Sequence, residues 1–184
     1  MATEESQVIA QVLGGDIDAF GFFLRRYGDR VYALLAGMMG DGAEAEEATQ
    51  DVFLQAYNHL DSFEGRSHFA TWLYRIAYNV AQSRTRRHRF RTESLDDMAR
   101  EMPDIDDEQI AVLFESTDAN RLQLLDEALD SLPPDDRAIV DLYYFDDYAI
   151  RDIAYVVGQT ETNVQTRLYR IRKRLYLYII RNEE

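Results

Sequence analysis

The chain has 184 residues, of which 34 are acidic and 20 basic, for a formal net charge of −14. It contains no cysteine, which excludes disulfides, thiolate metal sites, iron–sulfur clusters and cysteine nucleophiles. No apolar run approaches the roughly 20 residues that span a bilayer. The start, MATEESQ, lacks the basic and apolar parts of a signal peptide, so a cytoplasmic protein without membrane insertion is expected.

Spread evenly, a charge of −14 would repel phosphate and argue against a nucleic-acid partner. It is not spread evenly. Residues 1–90 and 121–184 each carry 12 acidic and 9 basic groups (net −3), whereas residues 91–120 carry 10 and 2 (net −8). That middle stretch has a proline and no sustained apolar period, so it reads as an acidic linker between two domains, 1–90 and 121–184. Its apolar patch, Ile110 to Phe114, is the exception. Arginines cluster at Arg84, Arg86, Arg87 and Arg89, and again from Arg167 to Arg174, near the end of each domain.

No segment alternates with a period of two, while several show helical spacing, which predicts an all-α fold. Asp16 suits an N-cap, followed by the stripe Phe20, Phe23, Leu24, Tyr27, Val31, Leu34, Leu35 and Met38, with Gly40 as terminator. A second helix begins near Ala43 and carries Ala45, Ala48, Val52, Phe53 and Ala56. A loop follows over 61–67. A third helix, about 68–87, turns Phe69, Leu73, Ile76, Ala77 and Val80 to a core. Trp72, Arg75, Asn79, Gln82 and Arg86, spaced 3, 4, 3, 4, share a neighbouring face. An aromatic ring, an amide and arginines on one face would suit unstacked bases and a phosphate backbone. The same residues read equally well as a core tryptophan beside solvated arginines, and spacing alone leaves both readings open.

In the C-terminal part Leu122, Leu125, Leu129 and Leu132 define a helix that Pro133 and Pro134 end before starting the next. The next helix carries Ala138, Ile139, Leu142 and Phe145. A short helix with Ile150, Ile153, Ala154 and Val157 then meets Gly158, and Thr160 can cap a last helix bearing Val164, Leu168, Ile171 and Leu175. This is a helix-turn-helix pattern. Glu161, Asn163, Gln165, Thr166, Tyr169, Arg170 and Lys173 are expected to face outward, groups suited to base edges and phosphates.

Three blocks carry a family resemblance: GAEAEEATQDVFLQAYNHLDSF, FATWLYRIAYNVA and, after the acidic linker, LDSLPPDDRAIVDLYYFDDYAIRDIAYVVGQTETNVQTRLYRIRKRL. In this order and separation they resemble a bacterial extracytoplasmic-function sigma factor over nearly the whole chain. The resemblance implies sigma domain 2 at 1–90 and sigma domain 4 at 121–184. It implies a sigma factor that binds core RNA polymerase, recognises and melts the minus-ten element and recognises the minus-thirty-five element. Glu47, Gln50, Asp51 and Phe53 would grip the clamp helices of the largest subunit, with the polymerase flap as a second contact. Phe63 and Asn79 would hold a flipped minus-ten base, with Trp72, Arg75 and Arg86 nearby. Asn163, Gln165, Thr166, Tyr169, Arg170 and Lys173 would read the minus-thirty-five element. Control by an anti-sigma factor is implied, and the acidic linker would thread the polymerase's basic RNA-exit region. No cofactor, metal or catalytic group is expected. The match departs from the family pattern at Asp152, where a glutamate is usual, and at Thr162, Asn163 and Gln165, which concerns the promoter sequence read.

Two other classes fit less of the sequence. A sigma-like decoy that binds an anti-sigma protein but no DNA would tend to lose its basic recognition surface. A carboxylate metalloenzyme could use Glu44, Glu47 and Asp51, but the histidines at 59, 68 and 88 are scattered and no Glu-x-x-His pair is present.

Overall fold

The computed structural model describes residues 4–85 and 119–182. The expectations for Arg86, Arg87, Arg89, the linker carboxylates and the Ile110–Phe114 patch fall outside these residues. Among the described residues the fold is all-α, without a strand, and no helix is long and apolar enough to cross a membrane.

The first unit contains α1 (Glu4–Leu13), α2 (Gly21–Met39), α3 (Gly42–Asn58) and α4 (Phe69–Thr85). Sequence reasoning did not find α1, which buries only Val12. Asp16 caps as expected, accepting from the Ala19 N–H at 3.3 Å, but it opens a 3₁₀ turn, Ile17–Phe20, that leads into α2. α2 ends at Gly40, whose φ of 71° is the left-handed C-cap conformation that glycine adopts without strain. One residue later Asp41 caps α3 by accepting from the Ala43 and Glu44 N–H groups. α2, α3 and α4 pack against one another. Their buried faces follow the expected stripes, with Phe23, Leu34, Leu35, Ala45, Ala48, Val52, Leu73 and Ala77 all nearly inaccessible, except that Leu24 is 46% exposed and Ile76 half-buried.

The second unit contains α5 (Ala119–Asp130), α6 (Pro134–Val140), α7 (Ile150–Val157) and α8 (Glu161–Asn182). α6 continues directly into a π turn, Asp141–Phe145. The wider π register buries Leu142 but leaves Phe145, expected in the core, 61% exposed. Gly158 takes φ 67° after α7, and the Thr160 hydroxyl accepts from the Asn163 N–H at 3.2 Å, so the helix-turn-helix has the expected turn and cap.

The two units share one continuous core. α2 and α4 pack against α6, and α4 also packs against α7. Asp141 lies in this seam, buried beside Gly37 of α2 and bonded to Arg137 Nε at 2.9 Å. Burial pushes its carboxyl up to about 6, against the pull of Arg137 and with Asp146 and Asp130 adding to the rise. A group whose pKa is raised by folding stabilises the fold below its unfolded pKa, and that contribution is lost as pH rises through about 6. At pH 7.5 the charged Asp141 therefore opposes folding. Asp141→Asn is expected to stabilise the protein at pH 7.5 by about 1–3 kcal/mol. The gap from the unsubstituted chain should narrow towards pH 5, as read from thermal unfolding at both pH values.

Candidate nucleic-acid interface

The first candidate surface lies at the start of α4. The chain leaves α3 through a 3₁₀ turn, Leu60–Ser62, and Phe63 then folds back over α4. Its ring meets Phe69 edge-on at 5.6 Å and Trp72 at 5.4 Å, while Phe69 lies 5.6 Å from Trp72 and stacks on Phe23 at 4.0 Å. Phe69 is fully buried; Phe63 and Trp72 are half-buried. Trp72 is thus seated on the core yet keeps an open edge beside Phe63. Asn79 is exposed, seven residues along α4 from Trp72 and so on the same side of the helix. Gln82 turns away and donates to the Tyr78 hydroxyl at 3.3 Å.

Arg75 is not a solvated arginine. Its Nη1 donates to the Tyr155 carbonyl and, at 3.4 Å, to the Val156 carbonyl, both at the C-terminal end of α7. The guanidinium also lies 5.2 Å from the centre of the Tyr155 ring.

The second surface is α8. Asn163, Gln165, Thr166 and Arg170 are exposed and Tyr169 is half-buried. Lys173, expected outward, is 6% exposed, and its ammonium folds back over the Tyr169 ring at 4.7 Å. Three other cations of this run also point inward. Arg167 Nε donates to Asp136 of α6 at 3.0 Å, and Arg174, 5% exposed, lies 3.9 Å from the same carboxylate. Arg172 donates to the Tyr144 hydroxyl at 2.7 Å. Of the five cations from Arg167 to Arg174, Arg170 alone is openly exposed. The expected basic face is therefore mainly a device for fastening α8 to α6 and the π turn. Arg167 and Arg174 are seven residues apart, so both flank the apolar stripe and reach one partner carboxylate.

The third surface is α3. Glu47 and Gln50 are exposed, and Asp51 is half-buried. Arg84 of α4 sits between the carboxylates, 3.6 Å from Glu47 and bonded to Asp51. Phe53 is only 6% exposed and belongs to the core. With Phe20, Leu24, Gln50, Leu54 and Tyr57 it lines an apolar groove of about 580 Å³ between α2 and α3. Sequence reasoning missed this groove. Its signal is apolar residues outside the core stripe: Ile17 is 63% exposed and Leu54 59%. Among the described residues no group of three histidine, aspartate or glutamate side chains could hold a metal ion.

The described residues thus form a two-part, all-helical protein with a helix-turn-helix. The family described as Sigma-70 region 2 matches residues 23–91, and that described as Sigma-70, region 4 matches residues 122–175. The ECF RNA polymerase sigma factor SigW of Bacillus subtilis is 32% identical over 177 residues, covering 91% of this chain and 92% of SigW. The ECF RNA polymerase sigma-E factor of Escherichia coli K12 is 31% identical over 173 residues, covering 90% and 89%. The chain belongs to the extracytoplasmic-function sigma factors of RNA polymerase. Among solved structures, CnrH in complex with the cytosolic domain of CnrY shares the fold with a TM-score of 0.66 at 21% identity, covering 96% of this chain and 97% of that one. The sigma factor RpoE in complex with the anti-sigma factor NepR from Bartonella quintana gives 0.63 at 24%, covering 90% and 98%.

Proposed function

We propose that this sigma factor acts in the cytoplasm as a polymerase initiation subunit without a catalytic group of its own. Residues 1–90 take core polymerase and the minus-ten element, residues 121–184 take the minus-thirty-five element, and residues 91–120 form an acidic tether. The observation that supports this reading most directly is the aromatic pair Phe63 and Trp72, seated on buried Phe69, with the exposed Asn79 amide beside it on α4. Such an arrangement can stack an extruded base and hydrogen-bond its edge. Arg75 and Arg86 would follow the backbone.

At the minus-thirty-five element Asn163, Gln165, Thr166, Tyr169 and Arg170 would meet the major groove. Lys173 would support Tyr169 from behind. Because Arg170 is the exposed cation of the Arg167–Arg174 run, Arg170→Ala should weaken binding to that element by about 1–3 kcal/mol. Titration of holoenzyme against labelled promoter duplexes measures this. Glu47, Gln50 and Asp51, next to the apolar groove, offer acidic and apolar patches to polymerase clamp helices, and the second unit would meet the flap. The same apolar groove would accept an apolar helix of an anti-sigma protein, a class of partner with which RpoE from Bartonella quintana forms a complex.

Transcription by purified core polymerase plus this protein, on promoters selected from random DNA, tests the reading. The inward turn of four cations on α8 favours a second reading, a decoy that binds an anti-sigma protein and no DNA. Polymerase binding without any promoter selected would establish the decoy instead.

A further inference from the structure

α3 holds four carboxylates, Glu44, Glu46, Glu47 and Asp51, and no lysine, arginine or histidine. Glu47 and Asp51 are four residues apart, so they stand one above the other on one face and repel. Among the described residues, the cation that reaches this pair comes from α4. Arg84 lays its guanidinium between them, with Nη1 3.6 Å from Glu47 and Nη2 bonded to Asp51.

The three side chains are unequally open to water. Arg84 is 21% exposed, Asp51 47% and Glu47 74%. The arginine stem is therefore covered while the carboxylates stay outside, and the guanidinium is a fixed part of the surface. Arg84 follows Arg75 by nine residues on α4, which at 100° per residue puts it on the opposite side of the helix. It stands apart from the face proposed for minus-ten DNA, although in the sequence it belongs with Arg86, Arg87 and Arg89.

A basic side chain that docks on this face must approach a guanidinium already in place. Asp51 has given up part of its acceptor capacity, and a like charge lies beside it. Glu47 is farther from Arg84 and more open. We propose that Arg84 is an internal competitor for the basic side chains of core polymerase, masking Asp51 and leaving Glu47 as the open carboxylate. The proposal rests on the reading of α3 as the polymerase face. Rim charges act on the encounter rate and its salt dependence more than on dissociation. By cancelling one negative charge of the face, Arg84 slows the encounter. It also disfavours any partner whose cation must sit on Asp51 against one that reaches Glu47.

Binding of the full chain to immobilised bacterial core RNA polymerase, followed in time at several salt concentrations, tests this. Arg84→Gln is expected to associate about two- to fivefold faster at low salt, the range of an exposed ion pair. The gain should shrink as salt rises. Arg84→Lys keeps the charge and should stay near the native rate. Arg84→Gln combined with Asp51→Asn restores the net charge of the face and should return to that rate. If Arg84→Gln does not fold, Arg84→Met, which keeps the covered apolar stem, takes its place.

Glu47→Gln should slow association and so tests the polymerase face independently. If it does so while the Arg84 variant is unchanged or slower, the competitor role is overturned and the polymerase face stands. If neither substitution alters association, both are overturned. A double variant that stays fast, or Arg84→Lys behaving like Arg84→Gln, would make shape rather than charge the cause and overturn the competitor role.

Discussion

Phe69→Ala is expected to lose about 3–5 kcal/mol of stability, the cost of removing a large aromatic ring from a packed core. Phe69 is 2% exposed and meets four rings: Phe23, Tyr27, Phe63 and Trp72. Against a total of roughly 5–15 kcal/mol for a natural domain, that loss leaves the protein close to unfolding. The consequence is also local. Without Phe69 the Phe63 and Trp72 rings lose their backing, so the proposed base platform collapses before the fold does. Trp72 is the sole tryptophan, so its emission reports this site alone. Urea unfolding followed by fluorescence should show a lower midpoint and an altered native signal at zero denaturant. An unchanged native spectrum would separate the platform from its support.

Asn79→Ala is expected to do the reverse, sparing the fold and removing promoter opening. An exposed helical residue replaced by alanine changes stability by no more than about 0.5 kcal/mol. A lost hydrogen-bonding contact to a base edge costs about 1–3 kcal/mol, or roughly 5- to 150-fold in the open fraction. Core-polymerase binding should persist, because Asn79 is on α4 whereas the proposed polymerase face is on α3. Permanganate footprinting of the minus-ten region, alongside a polymerase pull-down, reads both. Loss of polymerase binding would remove Asn79 from its assigned role.

Local signals in the sequence were read well. Asp16, Gly40, Gly158 and Thr160 act through bonds within four residues, and each is found doing what its chemistry suggests. The apolar stripes of α2, α3, α7 and α8 were legible for the same reason. What escaped was set by partners distant in the chain. Arg75 is held by α7, 80 residues away, and Arg167 by Asp136, 31 residues away. A helical wheel places such side chains at a boundary but cannot name the neighbour across it. The π turn at Asp141–Phe145 shifts the register by one residue per turn, which no 3.6-residue pattern anticipates, and Phe145 emerges on the surface as a result. α1 escaped because it contributes little apolar surface to the core.

α8 is one uninterrupted helix of 22 residues, about 33 Å from end to end. Its first turn presents Asn163 and Gln165, while its last turns rest on α5 through buried Ile179 and a 3.4 Å bond from Tyr178 to Glu127. With no joint between, α8 moves as one rod together with α6 and the π turn, to which Arg167, Arg172 and Arg174 fasten it. Over the roughly 24 Å from Ile179 to Asn163, a tilt of about 8° at the α5 end moves the Asn163 end by about 3.4 Å, one base step along a strand. Load on α5, where the second unit begins, would thereby reach Asn163 and Gln165, the residues proposed to meet the major groove, as a change of register.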